Sequence, residues 1–551
     1  MILSKKYLVV ILLFLIFSSC KKKVASKEVV TSERPNIILI MSDDMGYSDL
    51  QPYGGEISTP NLNELASGGL KFTQFYNTAR CCPSRASLMT GCYPQQAGIG
   101  HMTNTPNNRN EHNYGVPEYQ GKLSSNTITI AEVLRDSGYS TLMSGKWHLS
   151  FHDKTQWPMQ RGFDKFYGFI AGAGNYFKPE APRNIYEGNE IITIEDKNYY
   201  TTDVFTDKAI EYINTTKSEN QDKPFFLYLA YNAPHWPLQA PKEDIDKYRG
   251  KYMGGWENLR LQRYESMKDM GIIDSSWNLS HDAIVSWNSL DEKKKQEMDL
   301  RMAIYAAMVD RMDQNIGRLV ADLKAKNLYD NTIIIFLNDN GACAEFDELG
   351  SGPKEQLETK EGYALTYGKA WANVSNTPFR KYKHWVHEGG IATPLIVHWP
   401  EGIAQELRGN MIQDYGFLPD IMATCLDLAG TELPTEYNGN SIKQHSGKSL
   451  VPIFSGAKER LHTGPIFWEH EGNKAVRLGK FKLVQEWKKD DQSWELYDME
   501  KDRSETNNII ELYPEKANEM IAQYDEWAQE VGVLPWEEVL KIRADRKSGD
   551  K

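Results

Sequence analysis

Cysteine is scarce in this chain of 551 residues: six in all, Cys20 and then Cys81, Cys82, Cys92, Cys343 and Cys425. An odd set beyond Cys20, with no repeated spacing, does not describe a disulfide scaffold, and whether Cys82 and Cys92 pair stays open. No apolar run reaches the roughly 20 residues that a membrane-spanning helix needs, and no internal repeat is visible. Positive charge is in deficit, with 63 Lys and Arg against 75 Asp and Glu and a formal net charge of −12. That balance argues against a nucleic-acid partner, because binding a polyanion takes an excess of cations to release its counterions. A local cationic pocket for an anionic substrate stays compatible with it.

What is present is an ordinary globular composition, 40% hydrophobic and 25% charged. The length exceeds one compact core, so a large α/β domain with a smaller companion is expected. At the start, Lys5-Lys6, the apolar run Tyr7 to Phe17 and Ser18-Ser19-Cys20 read as a short export signal. Small residues before Cys20 resemble a bacterial lipoprotein cleavage site, which would make a lipidated Cys20 the first mature residue. Ordinary cleavage and release is the alternative. Residues 21–34 read as a flexible tether. The expected location is the bacterial cell envelope, periplasm or outer membrane, with the membrane reached only through the lipid anchor.

Four apolar runs of strand length follow, Asn36 to Met41, Ser140 to Met143, Phe225 to Ala230 and Thr332 to Leu337. Each leads into a polar cluster: Asp43-Asp44, Lys146 with His148, His235, and Asp339-Asn340. With helices between them, the strands predict an α/β fold, and the clusters should converge beyond the carboxyl ends of the strands. Tyr305, Met308, Met312, Ile316, Leu319 and Leu323 at helical spacing read as core. The tail, with short runs from Pro465 to Tyr497, predicts an antiparallel sheet followed by a helix carrying Met520 and Tyr524. The boundary falls near residue 435, giving 35–435 and 436–551. The stretches Thr103 to Gly121 and Ala342 to Asn376 are long irregular connections and candidate substrate loops.

Asp43, Asp44, Asp339 and Asn340 offer only oxygen ligands, which select a hard cation such as calcium or magnesium over zinc. Between these clusters, Cys81-Cys82-Pro83-Ser84-Arg85 and Thr90-Gly91 form the pattern Cys-x-Pro-Ser-Arg-x-x-x-x-Thr-Gly. This resembles the formylglycine signature of the sulfatase family. The resemblance extends from Pro35 to about Val533, through Asp43-Asp44, Gly145-Lys146-Trp147-His148, Ala233-Pro234-His235, Asp339-Asn340-Gly341 and Lys383 before Glu388-Gly389-Gly390. Ala392-Thr393-Pro394 departs from the family's Arg-Val-Pro, outside the chemical core.

The resemblance implies an alkaline-phosphatase-like large domain, with a central mixed, mostly parallel sheet between helices, plus a small C-terminal α+β domain. It implies that a formylglycine-generating maturation enzyme converts Cys81 to 3-oxoalanine. The hydrated aldehyde can attack sulfur with one oxygen and expel sulfate with the other, which a serine or unmodified cysteine cannot do. One Ca²⁺ would be held by Asp43, Asp44, Asp339 and Asn340 and touch residue 81. Arg85, Lys146 and Lys383 would neutralise sulfate charge, His235 with Lys383 nearby would protonate the leaving oxygen, and His148 would act as base for sulfate release. The expected partner is a sulfated oligo- or polysaccharide, with Trp236 as a candidate sugar platform and aryl sulfates as artificial substrates. His384, His387 and His470 read as structural or solvated. Two readings compete: a phosphomonoesterase or phosphodiesterase of the same superfamily fold, and an inactive envelope glycan-binding protein.

Overall fold

The computed structural model describes residues 34–457, 460–488 and 491–549. The export signal, Cys20 and the tether up to Glu33 lie outside the described residues. Ten strands form the main sheet: β1 (Asn36–Ser42), β2 (Leu70–Tyr76), β3 (Ser140–Lys146), β4 (Lys165–Phe169), β5 (Ile185–Glu187), β6 (Glu190–Ile191), β7 (Phe225–Ala230), β8 (Thr332–Asn338), β9 (Ala392–His398) and β10 (Met411–Phe417). Their order is β10-β2-β9-β8-β1-β7-β3-β4-β5-β6. The central run β8-β1-β7-β3-β4 is parallel, whereas β9 is antiparallel to both its neighbours.

Continuous apolar runs are what a strand covered on both faces requires. In β1, Ile38 and Ile40 enter one hydrophobic cluster while Ile37, Leu39 and Met41 enter the cluster on the opposite face. The long helix Glu292–Ala325 buries Tyr305, Met308, Met312, Ile316, Leu319 and Leu323 in the first of these clusters, as core. Among the described residues no helix is long and apolar enough to cross a membrane.

After the helix Pro419–Ala429 comes a two-stranded ribbon, β11 (Glu436–Tyr437) and β12 (Asn440–Ser441). A second sheet then runs antiparallel through β13 (Ile466–His470), β14 (Asn473–Leu478), β15 (Phe481–Gln485) and β16 (Glu495–Asp498). The helix Pro514–Val531 covers it, with Met520 and Tyr524 buried. The two sheets share apolar core and a buried ionic network. Glu388 meets Lys482 at 2.9 Å and Arg503 at 2.6 Å, and Lys482 also meets Glu505 at 2.8 Å.

One expectation changes and one open question closes. The stretch from Ala342 to Asn376 is not irregular throughout, because Gly368–Ser375 is helical and buries Trp371 and Val374. Cys82 and Cys92 do not pair: all five cysteines from Cys81 onward are free.

Candidate functional site

The four neighbouring strands β8, β1, β7 and β3 bring their trailing polar residues to one place. Cys81 opens the helix Cys81–Thr90, behind Arg80 in extended conformation. Pro83 falls in the first turn, where a missing N–H costs nothing. Gly91 ends the helix in the left-handed conformation at φ 69°, its N–H bonded to the Ser87 carbonyl, a position that favours glycine. The spacing of the motif is thus the length of one helix, with the thiol at its positive end.

The Arg85 guanidinium reaches back from that helix to Asp339, with Nε and Nη2 at 3.0 and 2.7 Å from Oδ2. Lys146 Nζ lies 2.6 Å from Asp43 Oδ2, and Lys383 Nζ lies 2.9 Å from Asp44. Asn340 Nδ2 donates to Asp44 Oδ1 at 2.7 Å. Glycines make these approaches feasible: a Cβ on Gly145 would stand 1.9 Å from the Ala230 carbonyl oxygen, and one on Gly341 would stand 1.8 Å from that of Gly389.

All four acidic and amide residues are buried, and two oxygens, Asp43 Oδ1 and Asn340 Oδ1, have no hydrogen-bond partner. Burial, followed by the Asp43 charge, pushes the Asp339 carboxyl up to about 8. An all-oxygen set, buried and with unmatched acceptors, fits a hard cation. Three carboxylates already face Arg85, Lys146 and Lys383, so a divalent ion would leave the cluster net positive and receptive to an anion.

Above this floor lies a cavity of about 140 Å³ whose walls include Cys81, His148, His235, Trp236 and Lys383. A hydrogen bond from Cys82, with the charges of Lys146 and Lys383, holds the Cys81 thiol well below its ordinary range against the effect of burial. Cys82 is pushed the other way by burial; its sulfur accepts the Thr103 N–H at 3.3 Å. Burial lowers His148 and His235 to about 4 each. His235 Nδ1 lies 2.6 Å from the Trp236 carbonyl oxygen and Nε2 lies 3.4 Å from Asp44 Oδ2. Asp44 and His148 both have left-handed backbones, at φ 63° and 55°, strain of the kind that gathers at functional sites.

All ten residues singled out in the sequence therefore sit in or directly beneath one cavity. Residues that the sequence did not single out one by one join them, several of them from the two stretches read as candidate substrate loops. Arg80 and Glu345 pair at 2.8 Å on the wall, and Glu345 also accepts from Trp236 Nε1 at 3.1 Å. Arg183 and Thr103 to Pro106 complete the rim. Thr105, Pro106 and Arg183 also line an adjoining cleft of about 980 Å³, together with Arg543 and Arg546 of the last helix, Trp536–Gly549. His384, His387 and His470 do not line the cavity.

Comparison with known proteins gives a consistent answer. The model of the family "Sulfatase" matches residues 35–431, and that of "N-sulphoglucosamine sulphohydrolase, C-terminal" matches residues 379–530. The chain is 33% identical to an uncharacterized sulfatase of Schizosaccharomyces pombe, over 93% of this chain and 96% of that one. It is 35% identical to an arylsulfatase of Klebsiella aerogenes, over 78% of this chain and 93% of the relative. The solved structure of Ps i-CgsB in complex with k-i-k-neocarrahexaose superposes with a TM-score of 0.67 at 26% identity, covering 92% of this chain and 100% of that one.

Proposed function

From the premise that the chain belongs to the sulfatase family and is a sulfuric ester hydrolase, we propose that it desulfates a sulfated glycan using a formylglycine made from Cys81 and a calcium ion held by Asp43, Asp44, Asp339 and Asn340. The observation that carries this reading is the meeting of Cys81, at a helix N-terminus, with three cations, two histidines and two unmatched buried oxygens in one cavity floor. The formylglycine hydrate would supply a nucleophile able to release the sulfate it accepts. The calcium ion would supply positive charge for the sulfate oxygens.

The rest is the work of side chains. Lys146 and Lys383, backed by Arg85, hold the anionic group against residue 81 and balance charge as it moves toward the leaving oxygen. His235, fixed through the Trp236 carbonyl, presents Nε2 toward the reacting region and, with Lys383, provides the proton for that oxygen. His148 takes up a proton as sulfate departs. Trp236 offers an aromatic wall, and the adjoining cleft with Arg183, Arg543 and Arg546 has the room and charge for further anionic sugar units. A neighbour solved with a neocarrahexaose supports the glycan as substrate class. Export, with a lipid anchor at Cys20 in the cell envelope, is part of the same proposal and rests on the sequence of residues 5–20; fatty-acid labelling lost in Cys20→Ala would establish it.

The decisive experiment is peptide mass spectrometry of the chain made alongside a formylglycine-generating enzyme. The aldehyde mass is expected at Cys81, Cys81→Ser should lose turnover, and Cys82→Ser should retain it. An aldehyde at Cys82 alone, or full activity with unmodified Cys81, would refute the reading.

A further inference from the structure

Outside the residues that line the cavity, and next along the chain from Lys383, lies a second group of chemically active side chains. β13 ends in His470, and the turn into β14 carries Glu471 in the left-handed conformation at φ 49°. The carboxylate of Glu471 is shared: Oε1 lies 2.7 Å from His101 Nε2 and Oε2 lies 2.8 Å from His384 Nδ1. His384 follows Lys383 directly and is itself left-handed at φ 92°. One ligand atom from each of His384, His470 and Glu471 lies within 4.8 Å of the others.

A hydrogen-bonded cluster alone would explain His101 and His384. It does not explain His470. That ring is 1% exposed, and neither nitrogen has a hydrogen-bond partner. Its nearest charged neighbour is Glu471 Oε1, at 3.7 Å from Nε2. Leaving a polar group buried and unmatched is costly, and such groups call for a partner. The rings of His101 and His384 lie at 5.8 and 5.7 Å from that of His470, and its unmatched Nε2 stands 3.7 Å from Glu471 Oε1.

We propose that His384, His470 and Glu471 form a zinc site, separate from the catalytic cavity, in which His101 orients the Glu471 carboxylate. Two imidazoles and a carboxylate suit a borderline divalent metal better than calcium, which takes an all-oxygen shell. Zinc bonds of about 2.0–2.1 Å place tetrahedral ligand atoms about 3.3 Å apart; Glu471 now reaches His384 through Oε2 at 2.8 Å and His470 through Oε1 at 3.7 Å. A fourth position is open to water from the His384 side, where the side chain is 26% exposed. The metal would tie the turn after β13 to the segment that delivers Lys383 and, through the hydrogen bond from His384 N–H to the Ala79 carbonyl at 2.7 Å, to the residues just before Cys81. Its role is to hold those segments in register.

The test titrates ZnCl₂ by calorimetry into the full chain carrying Cys81→Ser, with Ca²⁺ in excess, so that neither the Cys81, Cys82 and His148 group nor the acidic floor competes. One Zn²⁺ per chain is expected, with a zinc-dependent rise in Tm. Co²⁺ in its place should give the visible bands of a low-coordinate nitrogen and oxygen site. His470→Gln should lose the tight transition, the Tm rise and the Co²⁺ bands. His384→Gln, at a partly exposed position, should do the same in a chain that keeps its circular dichroism. His101→Gln should weaken binding by roughly 10- to 100-fold, as expected of a group acting through a ligand. Absence of zinc uptake by the parent, or uptake unchanged in both His384→Gln and His470→Gln, would overturn the proposal.

Discussion

The bond from His235 Nδ1–H to the Trp236 carbonyl leaves Nε2 as the atom that faces chemistry. If that atom delivers the proton to the departing oxygen, His235→Ala should cut turnover of a glycan sulfate by about 10²- to 10⁴-fold. A nitrophenyl sulfate, whose leaving group needs little help, should suffer far less. Steady-state rates on both substrates decide it, and equal losses would pass the acid role to Lys383. A second expectation concerns pH. Burial lowers both His148 and His235 from 6.5 to about 4 in the folded chain. Between those values the unfolded chain binds protons that the folded chain refuses, so stability falls as pH falls from about 6.5 to about 4. Tm measured across that window should drop toward acid, and His148→Gln should remove part of the slope; a flat profile in the parent would contradict it. Nine of the ten chemical residues were legible because each lies in a short polar string where an apolar strand stops or in a dense motif; Lys383 was legible only through the family's Lys before Glu-Gly-Gly. Arg80 and Arg183 were not, and Glu345 only as part of a candidate substrate loop, because a charged loop residue acquires meaning only from partners that the fold supplies from far along the chain.

At the scale of strands and helices, glycine at 145 is a steric requirement. β3 runs so close to β7 that a methyl group there would meet the Ala230 carbonyl oxygen, and the backbone stands at φ 119°. Gly145→Ala should cost about 1–3 kcal/mol of stability, as overpacking does, and should lower kcat through misplacement of Lys146 and His148. Denaturant unfolding and turnover measured together test this; an unchanged kcat would show the strand end to be tolerant. The four central parallel strands were readable as unbroken apolar runs, since both their faces are covered. β2 and β9 were not. Their pairing is irregular between Phe72 and Phe75, opposite Pro394. The irregularity breaks the alternation of β2, and the proline makes β9 read as something other than an inner strand.

Across the whole molecule, the two sheets are joined by the buried Glu388, Lys482, Arg503 and Glu505 network and by apolar core common to both. Removing one member strands the others in a dry interior, so Glu388→Ala should destabilise by about 3–5 kcal/mol. Chemical denaturation of the parent should show one transition reported alike by probes in both sheets. Two separated transitions would mean that the small sheet stands independently. The glutamate of the Glu-Gly-Gly string thus acts as a joint between sheets, a role that the sequence concealed because Lys482 and Arg503 lie about a hundred residues downstream. The last helix reaches further still. Arg546 bonds the Asn110 and Asn113 carbonyls, and Trp536 and Val539 pack on Tyr114 and Tyr119. The loop that rims the cavity is thus seated by a clamp 433 or more residues further along the chain, so it stays unseated long after it is made. Arg546→Ala should therefore leave both sheets and the reactive floor in place while the substrate rim loses its anchor.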